Sequence, residues 1–361
     1  MSYLAFSDSL EQPEPNESEV FAELSQTMQH ITRTMASHYR HAYRPVHAKS
    51  HGLLVGTLQV ESKLSEPLAQ GLFREPKTYP VILRFSTNPG DLLADSVSSP
   101  RGLAIKVLNV QGEMLPSHSG NTTQDLVCVN AKAFGVPNAA GFLKQLQLLD
   151  KTLEYPESVK QAVSTVARGA NTLLRTVGIH SGPLDNLGHP YTHILGETFS
   201  TIAPVRYGAY VAKLAIVPGS ANLKELTGKH IDAGHGFNPI EDAVREFFAE
   251  NTATWEIQAQ LALDLETTPI EDASILWPED KSPFQTVATL TVGPQESYSD
   301  ARQVFIDEHL SFSPWHALAA HRPLGGIMRA RQNAYEEAQR YRAARNVRVH
   351  VEPTSIDEVP A

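Results

Sequence analysis

"RPVHAKSHGLLVGTLQV", residues 44–60, is the stretch from which the fold is read. It runs from a polar segment carrying His47, flanked by Arg44 and Lys49, into an apolar, β-favouring run that begins at Leu53. A histidine at the mouth of a strand is ordinarily a hydrogen-bonded loop residue. Its meaning depends on what the rest of the chain places around it. Three further β-type segments follow closely: "YPVILRFST" (79–87), "GLAIKVLNV" (102–110) and "TQDLVCVN" (123–130). Turn-rich stretches such as "NPGDLLADSVSSPR" and "QGEMLPSHSGN" separate them.

Before the first strand, Val20, Phe21, Leu24, Met28, Ile31, Met35 and Tyr39 recur at helical spacing, which predicts an amphipathic helix from Glu19 to about Tyr43. Residues 137–178 also read as helices, with "FLKQLQLL" and "VKQAVSTVARGANTLLRTV". Strands return in "YGAYVAKLAIV" (207–217), "ATWEIQAQLAL" (253–263) and "FQTVATLTV" (284–292). In the second of these, Trp255, Ile257, Ala259 and Leu261 alternate with polar residues. A last helix opens after Pro323 and the Gly325–Gly326 pair. Strands in two groups around a helical insertion predict an α+β chain. Its centre is an antiparallel β-barrel of about eight strands, followed by C-terminal helices. We expect residues 1–18 as a flexible arm, 19–347 as one domain and 348–361 as a tail.

The composition is that of a soluble globular protein, 41% hydrophobic and 19% charged. A net charge of −10 argues against nucleic acid as a partner, because phosphate binding needs a basic surface. No apolar run is long enough for a membrane span. The opening residues do not read as a secretory signal, and the lone Cys128 cannot form an internal disulfide. Both point to a reducing, cytoplasmic setting. Cys128 reads as a core residue. His180, His189 and His193 are close enough in sequence to suggest zinc, but the stretch lacks cysteine and any regular ligand spacing, so solvated loop histidines are expected.

Several short motifs resemble, in order, those of the haem catalases, and more closely the short catalase-related haem peroxidases. They are "RPVHAK", "VILRFST", "ADSVSSPRGLAIKV", "SGNTT", "ILWPEDKSPFQTVATLTV" and "RARQNAY". The resemblance covers about residues 40–345 and implies the catalase core fold with haem b (iron protoporphyrin IX). It makes Tyr335 the ligand of the haem iron, supported by Arg331, since a phenol with an ordinary pKa near 10 needs a neighbouring cation to stay ionised. It makes His47 the distal base, Ser86 the residue that orients it, and Asn121 a hydrogen-bond partner of the peroxide. Val46 and Phe134 would touch the haem, and Arg44, Arg84 and Arg342 would pair with its propionates.

The resemblance implies a peroxidase that uses hydrogen peroxide or organic hydroperoxides to form an oxoferryl species. That species would oxidise a small organic donor, with weak catalase activity. A minimal catalase, a fatty-acid hydroperoxide isomerase or dehydratase, and a haem storage or sensor protein are the alternatives. Val46, immediately before the distal histidine, is the residue of true catalases at that position, which favours peroxide reduction over rearrangement. No NADPH site is expected, and a homodimer is possible. Asn88 and Ser99 depart from the family's valine and channel aspartate, which predicts a wider, less acidic entrance.

Overall fold

The computed structural model describes residues 2–176, 188–233 and 236–361. Its centre is a closed ring of eight antiparallel strands. In ring order these are β1 (Lys49–Val60), β2 (Thr78–Thr87), β3 (Arg101–Val107), β4 (Gln124–Val129), β5 (Phe199–Ser200), β7 (Tyr210–Pro218), β8 (Ala253–Leu261) and β9 (Gln285–Val292), which returns to β1. A short β6 (Val205–Tyr207) pairs with the start of β7, on the edge that β5 also uses. Alternation explains the packing: Trp255, Ile257, Ala259 and Leu261 of β8 are fully buried in the barrel core, while Glu256 and Gln258 are half-buried. Seven of the ring strands lie where periodicity predicts them. The eighth, β5, is two residues long, too short to show a period, and it closes the barrel between β4 and β7.

Helices α1 (Glu17–Tyr39), α2 (Ala139–Thr152), α3 (Glu157–Thr176), α4 (Ala221–Leu226), α5 (Pro239–Glu250), α6 (Asp300–Val304) and α7 (Gly326–Asn346) surround the barrel. The first stops before Tyr43 because Arg40 turns left-handed, at φ 55°. Leu24, Met28, Ile31 and Met35 of α1 pack against Leu143 and Leu146 of α2 and against Ala330 and Ala334 of α7. The two alanines let α7 approach closely. Among the described residues, no helix is long and apolar enough to cross a membrane.

Both chain ends are docked, contrary to the expected loose arm. Leu4 and Phe6 donate backbone N–H groups to Ala262 and Ala209 (2.8 Å each). Arg329 of α7 pairs with Glu11 (2.6 Å) and with Glu17 and Glu271. At the other end Val351 bonds to the His309 carbonyl (2.9 Å), and Val359 packs with Ile82 and Ile306. Glu352 bonds to Lys106, which is fully buried and also holds Asp125 (2.7 Å). A buried lysine needs such partners to keep its charge.

Candidate active site

Helix α7 lies along the outside of β2, β3 and β4, and a mostly apolar cavity lies between them. Arg331, Tyr335, Ala338 and Arg342 line one side from a single helix face. Met28 of α1, the 44–47 segment and Phe312 complete the lining.

The barrel wall is built from alternate residues of three strands, in two cross-strand rows. One row is Arg84–Ala104–Val127, the other Ser86–Gly102–Val129. His47 lies over Gly102. A Cβ on Gly102 would stand 2.8 Å from the His47 Cε1 and Nδ1 atoms and 2.9 Å from Ser86 Oγ, so the histidine's seat exists because this residue is glycine. Ser86 Oγ lies 3.3 Å from His47 Nδ1.

The backbone beneath the histidine is unusual. His47 is left-handed, at φ 53°, a region that costs a non-glycine residue on the order of 1 kcal/mol. Arg84 holds it there by donating to the carbonyls of His47 (2.7 Å) and Ala48 (3.2 Å). Gly90 lets the chain pass against the Pro45 carbonyl, where a Cβ would come within 2.2 Å. Burial first, then the charges of Arg84 and Arg331, push the imidazole down to about 3. It is neutral at physiological pH.

Across the cavity, Arg331 donates to Tyr335 Oη at 2.7 Å and lies over its ring, 5.1 Å from the centroid. Further along, Arg44, Arg84 and Arg342 form a buried trio. Arg44 pairs with Asp307 (3.3 Å) and donates to the carbonyls of Ile306 and Leu310. Among the described residues this is the trio's one ion pair. The Nε atoms of Arg84 and Arg342 have no partner. Burial, then the charge of Arg44, pushes both guanidinium pKa values well below the ordinary one. The trio is thus a buried excess of positive charge with two unpaired donors, an arrangement that an anion would stabilise.

Of the residues singled out from sequence, Arg44, Val46, His47, Arg84, Ser86, Arg331, Tyr335 and Arg342 line this one cavity. Two do not. Asn121 belongs to a second cavity with His118, His316 and Glu352, and its amide lies 3.3 Å from His118 Nδ1. The turn after Gly120 carries it away from β4, whose own Val127 and Val129 take the wall positions. Phe134 is also outside. Its ring packs edge-on against Phe142, 5.2 Å away, and its N–H bonds to Ala273. Gly102, Ala104, Val127, Val129 and Phe312 went unnoticed because alternation does not say which face of a barrel strand meets a pocket.

Asn88 and Ser99 share a smaller cavity with Asp91 and Asp95, next to the first through the Ser86–Thr87 and Arg101–Gly102 steps. The expected acid-poor surround is therefore not met, although Lys160 binds Asp91 (2.8 Å) and Lys49 binds Asp95 (2.7 Å). The loop histidines are not solvated either. His189 accepts from Asn130 Nδ2 (2.8 Å), and His193 is buried and accepts the Leu195 N–H; His180 lies outside the described residues. His118, His316 and Glu352 bring ligand-type atoms within 4.8 Å of one another. The two imidazoles stack face to face (4.3 Å, 11°), so their lone pairs run parallel and do not converge on one ion.

No family model and no curated protein matches the sequence. Solved structures do. A fungal catalase is 18% identical over 87% of this chain and 62% of its own, with a TM-score of 0.60. Catalase A from Saccharomyces cerevisiae is 17% identical over 86% and 63%, with a TM-score of 0.59. A bacterial catalase is 17% identical over 87% and 60%, with a TM-score of 0.57. The chain has the catalase fold. It spans about three fifths of the length of these catalases, and at such identity the likeness is one of fold. Within the catalase fold, the cavity between α7 and the barrel wall holds His47 and Tyr335 on opposite elements.

Proposed function

We propose that the cavity binds haem b and that the chain is a haem peroxidase, reducing a peroxide at the expense of a small organic donor with weak catalase turnover. The observation that carries this reading is the set of groups on one cavity wall and the next. A phenol is held by an arginine, a neutral imidazole is seated over a glycine, and among the described residues two of three clustered arginines have no ion pair. When bound, haem would supply a redox-active iron able to split the peroxide O–O bond and accept its oxidising equivalents.

The residues fit that group. Tyr335 would offer its phenolate oxygen to the iron, and the Arg331 guanidinium already donates a hydrogen bond to that oxygen. Arg44, Arg84 and Arg342 would pair with the two propionates, which relieves their mutual repulsion. His47, with Nδ1–H turned to Ser86 Oγ, presents an Nε2 lone pair to the cavity. It takes the proton from the peroxide oxygen that stays and delivers it to the oxygen that leaves. Its lowered pKa keeps the base form available.

Titration of the protein with haemin tests the reading, followed by a peroxide assay scored for both oxygen release and donor oxidation. A Soret band saturating at one haem per chain, with donor oxidation exceeding oxygen release, is the expected result. Absence of a saturable band would remove the proposal. Gly102→Ala gives a sharper check on the base. The new methyl forces the imidazole off its seat, so the variant should load haem yet react with peroxide at least about tenfold more slowly, at a stability cost of about 1–3 kcal/mol from overpacking. An unchanged rate in a loaded variant would show that the seat does not set the base.

A further inference from the structure

We infer that the peroxide site beside His47 is built for an organic hydroperoxide in preference to hydrogen peroxide, with Val129 as the residue that sets the choice. This rests on the haem-peroxidase reading above. The row Ser86–Gly102–Val129 runs directly beneath the imidazole. Ser86, at one end, faces Nδ1. At the other end stands a valine, half-buried and open to the cavity.

Among the described residues, no side-chain amide on the barrel wall lines this cavity. Asn130, the next residue on β4, is engaged elsewhere. Its Oδ1 accepts the Arg101 N–H (2.8 Å), and its Nδ2 donates to Glu197 (2.7 Å) and to His189 (2.8 Å). Asn121 lies in the other cavity. Gln339 is on α7, one turn beyond Tyr335, and donates to Ser311 (3.1 Å).

Hydrogen peroxide has a hydroxyl on each oxygen, and both lose water on entering. His47 can satisfy one. The second meets the methyls of Val46, Val127 and Val129, and an unpaired buried hydroxyl weakens binding by about 5- to 100-fold. An alkyl hydroperoxide has one hydroxyl for His47, and its carbon chain gains from the same apolar wall. The reaction balances as ROOH plus a two-electron, two-proton donor giving ROH, water and oxidised donor. The O–O bond breaks, RO leaves with the proton relayed by His47, and the retained oxygen becomes water.

The test compares haem-loaded wild type with Val129→Asn and with Val129→Thr, a near-isosteric change that adds a hydroxyl with little risk to folding. Two quantities are read. One is kcat/KM for tert-butyl hydroperoxide against hydrogen peroxide. The other is the equilibrium affinity for cyanide by visible absorption, which reports a new hydrogen bond without turnover. Wild type should favour the alkyl hydroperoxide by about tenfold or more. Each variant should bind cyanide about 3- to 10-fold more tightly and shift the substrate ratio at least about fivefold toward hydrogen peroxide. A loaded wild type that prefers hydrogen peroxide, or variants that tighten cyanide while the ratio stays level, would overturn this inference and leave the haem reading standing. A chain with no Soret band would overturn the haem reading and this inference with it.

Discussion

Tyr335→Phe should lose haem binding, with affinity down about 100-fold or more and the ligand-to-metal charge-transfer bands gone. The substitution removes one oxygen and leaves the ring, so α7 keeps its packing and its place along the cavity. What disappears is the phenol oxygen that α7 presents to the cavity, where the other α7 residues lining it carry no acidic group. Cys128, the one thiol near the cavity, cannot substitute, because burial pushes it up to about 12 and it carries no thiolate at neutral pH. The change also strips Arg331 of its 2.7 Å acceptor. A half-satisfied guanidinium lowers stability by about 1–3 kcal/mol. Tyr341→Phe is the control. It lies on the same helix, outside the cavity lining, and should leave the spectrum intact. If Tyr335→Phe keeps the wild-type charge-transfer spectrum, another residue holds the iron.

His47→Ala should retain haem and slow the reaction with peroxide by about 10²–10⁴-fold, the usual effect of losing a general acid–base group. The pH profile gives a second signature. A histidine with an ordinary pKa of 6.5 would be only about 3% neutral at pH 5, and a rate that depends on its base form would fall about 30-fold. In this cavity the pKa is lowered to about 3, so the base form persists as pH falls and is lost only as pH passes through that value. The wild-type rate should therefore be flat from pH 8 to pH 5. Stopped-flow rates within threefold of wild type in the alanine variant, or an inflection near 6.5 in wild type, would assign the proton to another group.

Much of this site is legible in the sequence. Arg331, Tyr335 and Arg342 fall at helical intervals, so a single helix face must carry them wherever the helix docks. The 44–47 segment precedes a strand, and short-range chain geometry alone sets it at that strand's mouth. Asn121 failed for a different reason. "SGNTT" matches the family segment by letters, and only the folded chain shows that it lies in the turn ahead of β4, facing the other cavity. Phe134 is expected at the haem from the resemblance alone, yet its ring packs on Phe142, a contact the sequence does not single out.

Residue identity and local period determined the strands, the two long helices of the site and the chemistry of its charged groups, because each depends on neighbours within a few positions. Tertiary structure decided the composition of the wall. Ser86, Gly102 and Val129 share a row only because β2, β3 and β4 pair in one register, and a one-residue slip of any one strand would turn its own member to the barrel interior. That register is set by closure of the eight-strand ring, including the two-residue β5 that no pattern announces. The excess charge of Arg44, Arg84 and Arg342 is likewise a property of the fold. Ordinary arginines in sequence, they become a cluster of buried positive charge once the barrel, the 44–47 segment and α7 enclose them together, where water no longer screens one from another.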